Sequence, residues 1–103
     1  MTMTIDFANL GGPVYAGRPK GEQTRQALKV DAMDASREKV RVIVPDDTYA
    51  LNSSYFLGLF GKSVVKFGSR EAFLDHFEFV APDFVLKEVD IGIQRALIES
   101  KPL

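Results

Sequence analysis

The chain predicts an α/β fold: a small mixed sheet of about four strands packed by helices. Two observations carry this prediction. Period-two alternation, as at Thr2 to Phe7 and Lys39 to Val44, marks strands, and stretches with apolar residues every three or four positions mark helices. Such segments alternate along the chain, which is how a sheet with a helical layer is written into a sequence. A length of 103 residues suits one hydrophobic core, so residues 1–103 are read as a single domain.

The first strand is predicted over Thr2 to Phe7, where Thr2, Thr4 and Asp6 alternate with Met3, Ile5 and Phe7. Gly11, Gly12 and Pro13 turn the chain, and Val14 to Ala16 is predicted to return as a short second strand, making a hairpin before Gly17 and Pro19 turn it again. From Lys20 to Ala35 one amphipathic helix is predicted, with Thr24, Leu28, Ala32 and Ala35 on its inner side. Lys39 to Val44 is a strand ended by Pro45. Ile43, apolar on the second face, predicts cover on both sides. The stretch LNSSYFLGLFG, residues 51–61, opens a helix in which Phe56, Leu59, Phe60, Ser63, Val64 and Phe67 form one stripe, and Gly68 stops it. Ser69 caps a short helix running to His76, and Phe77 to Val80 is the last strand, ended by Pro82. Asp83 starts a final helix with Val85, Val89, Ile93 and Leu97 in its core stripe.

Composition narrows the function classes. Thirteen basic against fourteen acidic residues give a net charge of −1, which offers no general attraction for nucleic acid or anionic lipid. No apolar stretch reaches the roughly 20 residues needed to span a bilayer. The segment MTMTIDFANL has neither the basic region nor the long apolar block of a secretory signal, and the chain has no cysteine. A cytoplasmic location is expected, with no membrane and no nucleic-acid partner.

Arg18, Lys20, Arg25 and Lys29 concentrate positive charge in one segment, read as a solvated helix face. The Pro45-Asp46-Asp47 run is read as a turn, because adjacent carboxylates point different ways and make a poor cation site. Gly58 and Gly61 lie within a helix and not in a Gly-rich loop joining strand to helix, so they are read as permitting close packing. The only histidine, His76, has no cysteine to join it as a metal ligand and is assigned a structural role. Neither a metal site nor a cofactor is expected. Ser53 has no obvious base, so the chain is not read as an enzyme.

The polar triplet Asn52, Ser53 and Ser54 is the feature that most invites a functional reading. One such residue is explained as a helix cap, contributing roughly 0.5–2 kcal/mol. A phosphate on Ser53 or Ser54 would add about −1.5 to −2 charges beside the positive end of the helix dipole. The helix would tolerate that charge, whereas a partner fitted to the neutral tip would be repelled. Tyr55, if exposed, would anchor such a partner through apolar area and a hydroxyl, with Asp46 and Asp47 as rim contacts.

The segment VRVIVPDDTYALNSSYFLGLFG resembles the strand, loop, Ser-Ser and helix of the STAS group, named for sulfate transporters and anti-sigma factor antagonists, in which Asp-Ser-Ser-Gly opens a helix. The chain is closer to the bacterial STAS-like domains in GRPKGEQTRQAL, in Ser-Ser followed by an apolar run ending Phe60-Gly61, and in its amphipathic final helix. The likeness spans roughly residues 3 to 99. It implies a non-catalytic regulatory module that binds a protein partner, such as a histidine-kinase-like ATPase or serine kinase, and is switched by phosphorylation, with Ser53 selected by position. Asn52 and Tyr55 stand where the antagonists carry Asp and Gly. Arg18, Gly21 and Arg25 match the basic segment of the STAS-like domains, a segment that could contact a nucleotide or an acidic partner but is read first as serving solubility. The alternative from a different class is a structural or self-assembling subunit, a homo-oligomer in which the serines only cap a helix.

Overall fold

The structure, a computed structural model, describes residues 3–100. Thr2 of the predicted first strand lies outside them. Among the described residues the strands are β1 (Met3–Asp6), β2 (Val14–Tyr15), β3 (Val40–Ile43), β4 (Ala50–Leu51) and β5 (Phe77–Val80). The helices are α1 (Arg18–Leu28), α2 (Val30–Ala35), α3 (Ser53–Phe67), α4 (Arg70–His76) and α5 (Asp83–Glu99). The mixed α/β class holds, but the strands form two parallel sheets, β1-β3-β5 and β2-β4, in place of one sheet of about four.

The predicted hairpin does not form. Asp6 Oδ1 accepts a bond from the Ala8 N–H at 2.9 Å, starting a 3-10 turn over Phe7–Asn9 that carries the chain off the end of β1. β1 therefore pairs with β3 in parallel, Ile5 opposite Val42, and Val14–Tyr15 is left to pair with Ala50–Leu51. β3 is the central strand, with Val42 opposite Phe79 of β5 on its other side.

The predicted helix over Lys20–Ala35 is two helices. Lys29 adopts a left-handed conformation, φ 56°, and its N–H bonds back to the Arg25 and Gln26 carbonyls, closing α1. The break shifts the phase of the inner face. Ala32 and Ala35 are exposed, and Gly21, Arg25, Val30 and Asp34 are buried instead.

Helices α1, α3 and α5 lie side by side with α3 in the middle. Between them and the sheet sit Val40, Val42 and Ile5 with the rings of Phe56, Phe60, Phe73 and Phe77. Close packing of α1 on α3 is possible because glycines meet: a Cβ on Gly21 would strike the Tyr55 carbonyl, and one on Gly58 would strike the Arg18 carbonyl. Gly92 of α5 gives the Phe56 ring its place in the same way. A Cβ on Gly61 would make only ordinary contact with the Leu57 side chain, at 3.7 Å, so of the two α3 glycines only Gly58 is required by packing.

The opposite face of the three-stranded sheet is uncovered. Thr4, Arg41 and Glu78 form one exposed row, joined by an Arg41–Glu78 ion pair of 3.0 Å, and Asp6, Ile43 and Val80 form the next. The expectation that Ile43 marks a strand covered on both sides is thus overturned: it is half-exposed on an open face. Among the described residues no helix is long and apolar enough to cross a membrane.

Candidate functional site

The amino end of α3 is reached from β3 through the Pro45–Thr48 turn, closed by the Thr48 N–H on the Pro45 carbonyl at 3.1 Å, and then β4. The Asn52 N–H bonds the Tyr15 carbonyl at 3.1 Å, fixing the entry to the helix. Asn52 is extended, φ −96° and ψ 166°, and its Oδ1 accepts from the Tyr55 N–H at 2.9 Å. The cap is therefore Asn52, and neither serine hydroxyl is consumed by it. Of the polar triplet, Asn52 is thus the member that caps the helix.

Ser53 is half-buried and faces α5. Its N–H donates to Glu88 Oε1 at 3.3 Å, and its Oγ accepts from Arg95 Nη1 at 3.2 Å. One acidic and one basic side chain of the last helix thus bracket the serine. Glu88 puts a carboxylate where the helix dipole favours negative charge, and Arg95 puts a permanent cation on the hydroxyl. Ser54 is half-buried beside it.

Tyr55 is not a surface anchor: it is 1% exposed. Its ring packs against Phe7 and Tyr15, and its hydroxyl donates to Thr24 Oγ1 at 2.8 Å. Burial pushes its phenol above the ordinary pKa of 10.0, with the Thr24 hydrogen bond opposing and Tyr15 adding a smaller upward push.

The basic segment does not form a patch. Arg18 is exposed and paired with Glu99 at 2.9 Å. Arg25 is 6% exposed and turned inward. Its Nε and Nη2 donate to Asp31, Nη2 also to Asp34 at 2.7 Å, and Nη1 to the Leu59 carbonyl and Ser63 Oγ at 2.8 and 2.9 Å. Ser63 in turn donates to Asp34 Oδ1 at 2.7 Å. The reading of Arg25 as a solvated or ligand-contacting cation is overturned, because the side chain is buried and all its donors are taken by acceptors of this chain.

Asp46 and Asp47 are exposed on the turn after β3. Asp47 lines a hollow of about 300 Å³ with Thr48, Tyr15 and Phe7 at the carboxyl ends of β1 and β3, and no hydrogen bond or ion pair joins either aspartate to Ser53. His76 donates from Nε2 to the Met33 carbonyl at 2.8 Å and packs its ring against Phe67, a structural placement. Among the described residues no three acidic or histidine side chains gather as a metal site.

Sequence reasoning found the serine tip but missed Glu88 and Arg95. Their spacing of seven, on the side of α5 opposite Asp90, becomes meaningful only once α5 is known to lie beside the start of α3. No family model, curated protein or solved structure matches the chain.

Proposed function

We propose that this chain is a non-catalytic regulatory module of STAS-like type, which binds a protein partner through the surface around the amino end of α3 and is switched by phosphorylation of Ser53. The observation that carries the reading is the Glu88–Ser53–Arg95 bracket, formed at a tip whose cap is already supplied by Asn52. A phosphoryl group on Ser53 would bring about −1.5 to −2 charges to this point. Arg95 would take the phosphoryl oxygens in charge-assisted bonds, and the Glu88 carboxylate would be repelled from the helix end it now occupies. The modification therefore rewrites the charge of the α3–α5 surface without touching the core. The sequence likeness to antagonist domains supports a histidine-kinase-like ATPase or serine kinase as partner, and the lack of cysteine suits a cytoplasmic setting.

Incubation with ATP and a kinase of that class is expected to add one phosphoryl group, mapped to Ser53 by peptide mass. Ser53→Asp is expected to reduce capture of the kinase while changing stability by less than about 1 kcal/mol. Modification mapped elsewhere, or capture unaffected by Ser53→Asp, would count against the reading.

A further inference from the structure

The outer crest of α5 carries three large exposed apolar side chains, Phe84, Ile91 and Ile98, at 42%, 45% and 60% exposure. They recur every seven residues, on the side of the helix opposite Val85, Val89, Ile93 and Ala96, which are buried. A seven-residue repeat returns to within about 20° of the same direction, so the three lie in one row along the helix, about 10 Å apart. Scattered surface apolar residues need no explanation, but three in one row, at one of the two apolar positions per heptad by which helices pair, do.

The charges beside this row are arranged symmetrically about Ile91. Glu88 and Arg95 lie on one flank, three positions before it and four after, and Lys87 and Gln94 lie on the other, four before and three after. If a second α5 is laid antiparallel on the first, about a two-fold axis at Ile91, Phe84 of each copy meets Ile98 of the other. On one flank Glu88 then stands beside Arg95 of the second copy, twice over, and on the other Lys87 stands beside Gln94. No like charges oppose one another. A surface that is complementary to itself in both apolar register and charge is what an isologous dimer requires.

We infer that the crest of α5 is the docking surface for a second copy of this chain, which packs antiparallel with Ile91 on the two-fold axis and Glu88 and Arg95 exchanging ion pairs across the interface. A single helix per copy makes this a small contact, so association is weak and concentration-dependent. For its regulation the proposal rests on the reading of Ser53: the two residues that bracket the serine are the two that pair between copies, so a phosphoryl group that engages Arg95 and repels Glu88 removes the charge match and loosens the dimer.

Sedimentation equilibrium of the unmodified full chain, from about 1 μM to about 1 mM, tests the dimer without any kinase. Mass is expected to rise toward twice the 11.4 kDa of the chain. Ile91→Glu, which sets two carboxylates face to face on the axis, is expected to stay monomeric with an unchanged far-ultraviolet spectrum. Glu88→Arg and Arg95→Glu should each weaken association, and the double exchange should restore it, which a purely intramolecular role would not do. Because the chain has no cysteine, single-cysteine variants report orientation: Phe84→Cys mixed with Ile98→Cys should cross-link, and Phe84→Cys alone should not. A monomer at every concentration, or a dimer indifferent to Ile91→Glu, overturns the proposal, and cross-linking of Phe84→Cys with itself overturns the antiparallel arrangement. Failure here leaves phosphorylation of Ser53 standing, and absence of phosphorylation leaves the dimer standing.

Discussion

Arg25, Asp34 and Ser63 form a buried polar unit, and every guanidinium N–H is used, two of them on the exposed Asp31. Removing one member strands the others in low dielectric. Asp34→Ala is expected to cost about 3–5 kcal/mol in urea unfolding, and Arg25→Met combined with Asp34→Leu to cost less than the sum of the two single changes. The sequence did hold a sign of this unit: Ser63 stands in the middle of the apolar stripe of α3, and a hydroxyl there demands a buried partner. What it did not hold was which basic residue turns inward, since that depends on where the α1–α2 break falls. Tyr55 illustrates the same limit. Its folded-state pKa is raised, so the phenol binds its proton more tightly in the folded chain than in the unfolded one. The stability this contributes is present below pH 10.0 and is lost as pH rises above it. Tyr55→Phe is expected to flatten that part of the alkaline stability curve, measured by urea midpoints across the range.

At the level of elements, the α1–α3 crossing depends on backbones in direct contact at Gly21 and Gly58. A methyl group at Gly58 meets a carbonyl and not a flexible side chain, so the helices must separate. Gly58→Ala is expected to lower stability by about 1–3 kcal/mol, and Gly61→Ala, whose methyl would only touch the Leu57 side chain without a clash, to be neutral or mildly stabilising, both read from thermal unfolding. The boundaries of α3, α4, α5, β3 and β5 were legible because each is marked by local chemistry: Asn52 and Ser69 as caps, Gly68 as a left-handed stop, Pro45 and Pro82 as strand ends. The Lys29 break was not, because a lysine carries no signal for φ 56°. The hairpin failed for a related reason. Glycines and a proline announce that the chain turns but not which strand it meets afterwards.

For the whole molecule, the two-residue β4 is too short to show a period and was not legible in the sequence, whereas period-two alternation identified β1 and β3 with their inner faces, and with them the α/β class. It could not give strand order, since pairing is decided by where the connecting helices pack. Nor could it reveal that one sheet face is open, a departure from the usual double cover of parallel sheets. If that face is open in solution, Arg41→Ala should change stability by no more than about 1 kcal/mol, the worth of an exposed ion pair, whereas Val42→Ala on the covered face of the same strand should cost more; urea midpoints decide.

The contact between Gly21 and Gly58 also gives the molecule a stiff side and a yielding side. Towards α1, helix α3 rests backbone on backbone and has no slack to absorb a disturbance. Towards α5, it is separated by an aromatic ring and by two long, rotatable side chains whose ends sit at the surface. A disturbance at the start of α3 therefore meets rotatable side chains on the α5 side, whereas towards α1 and β2 it is passed on directly through the Gly21–Gly58 contact, the Tyr55–Thr24 bond and the Asn52–Tyr15 bond.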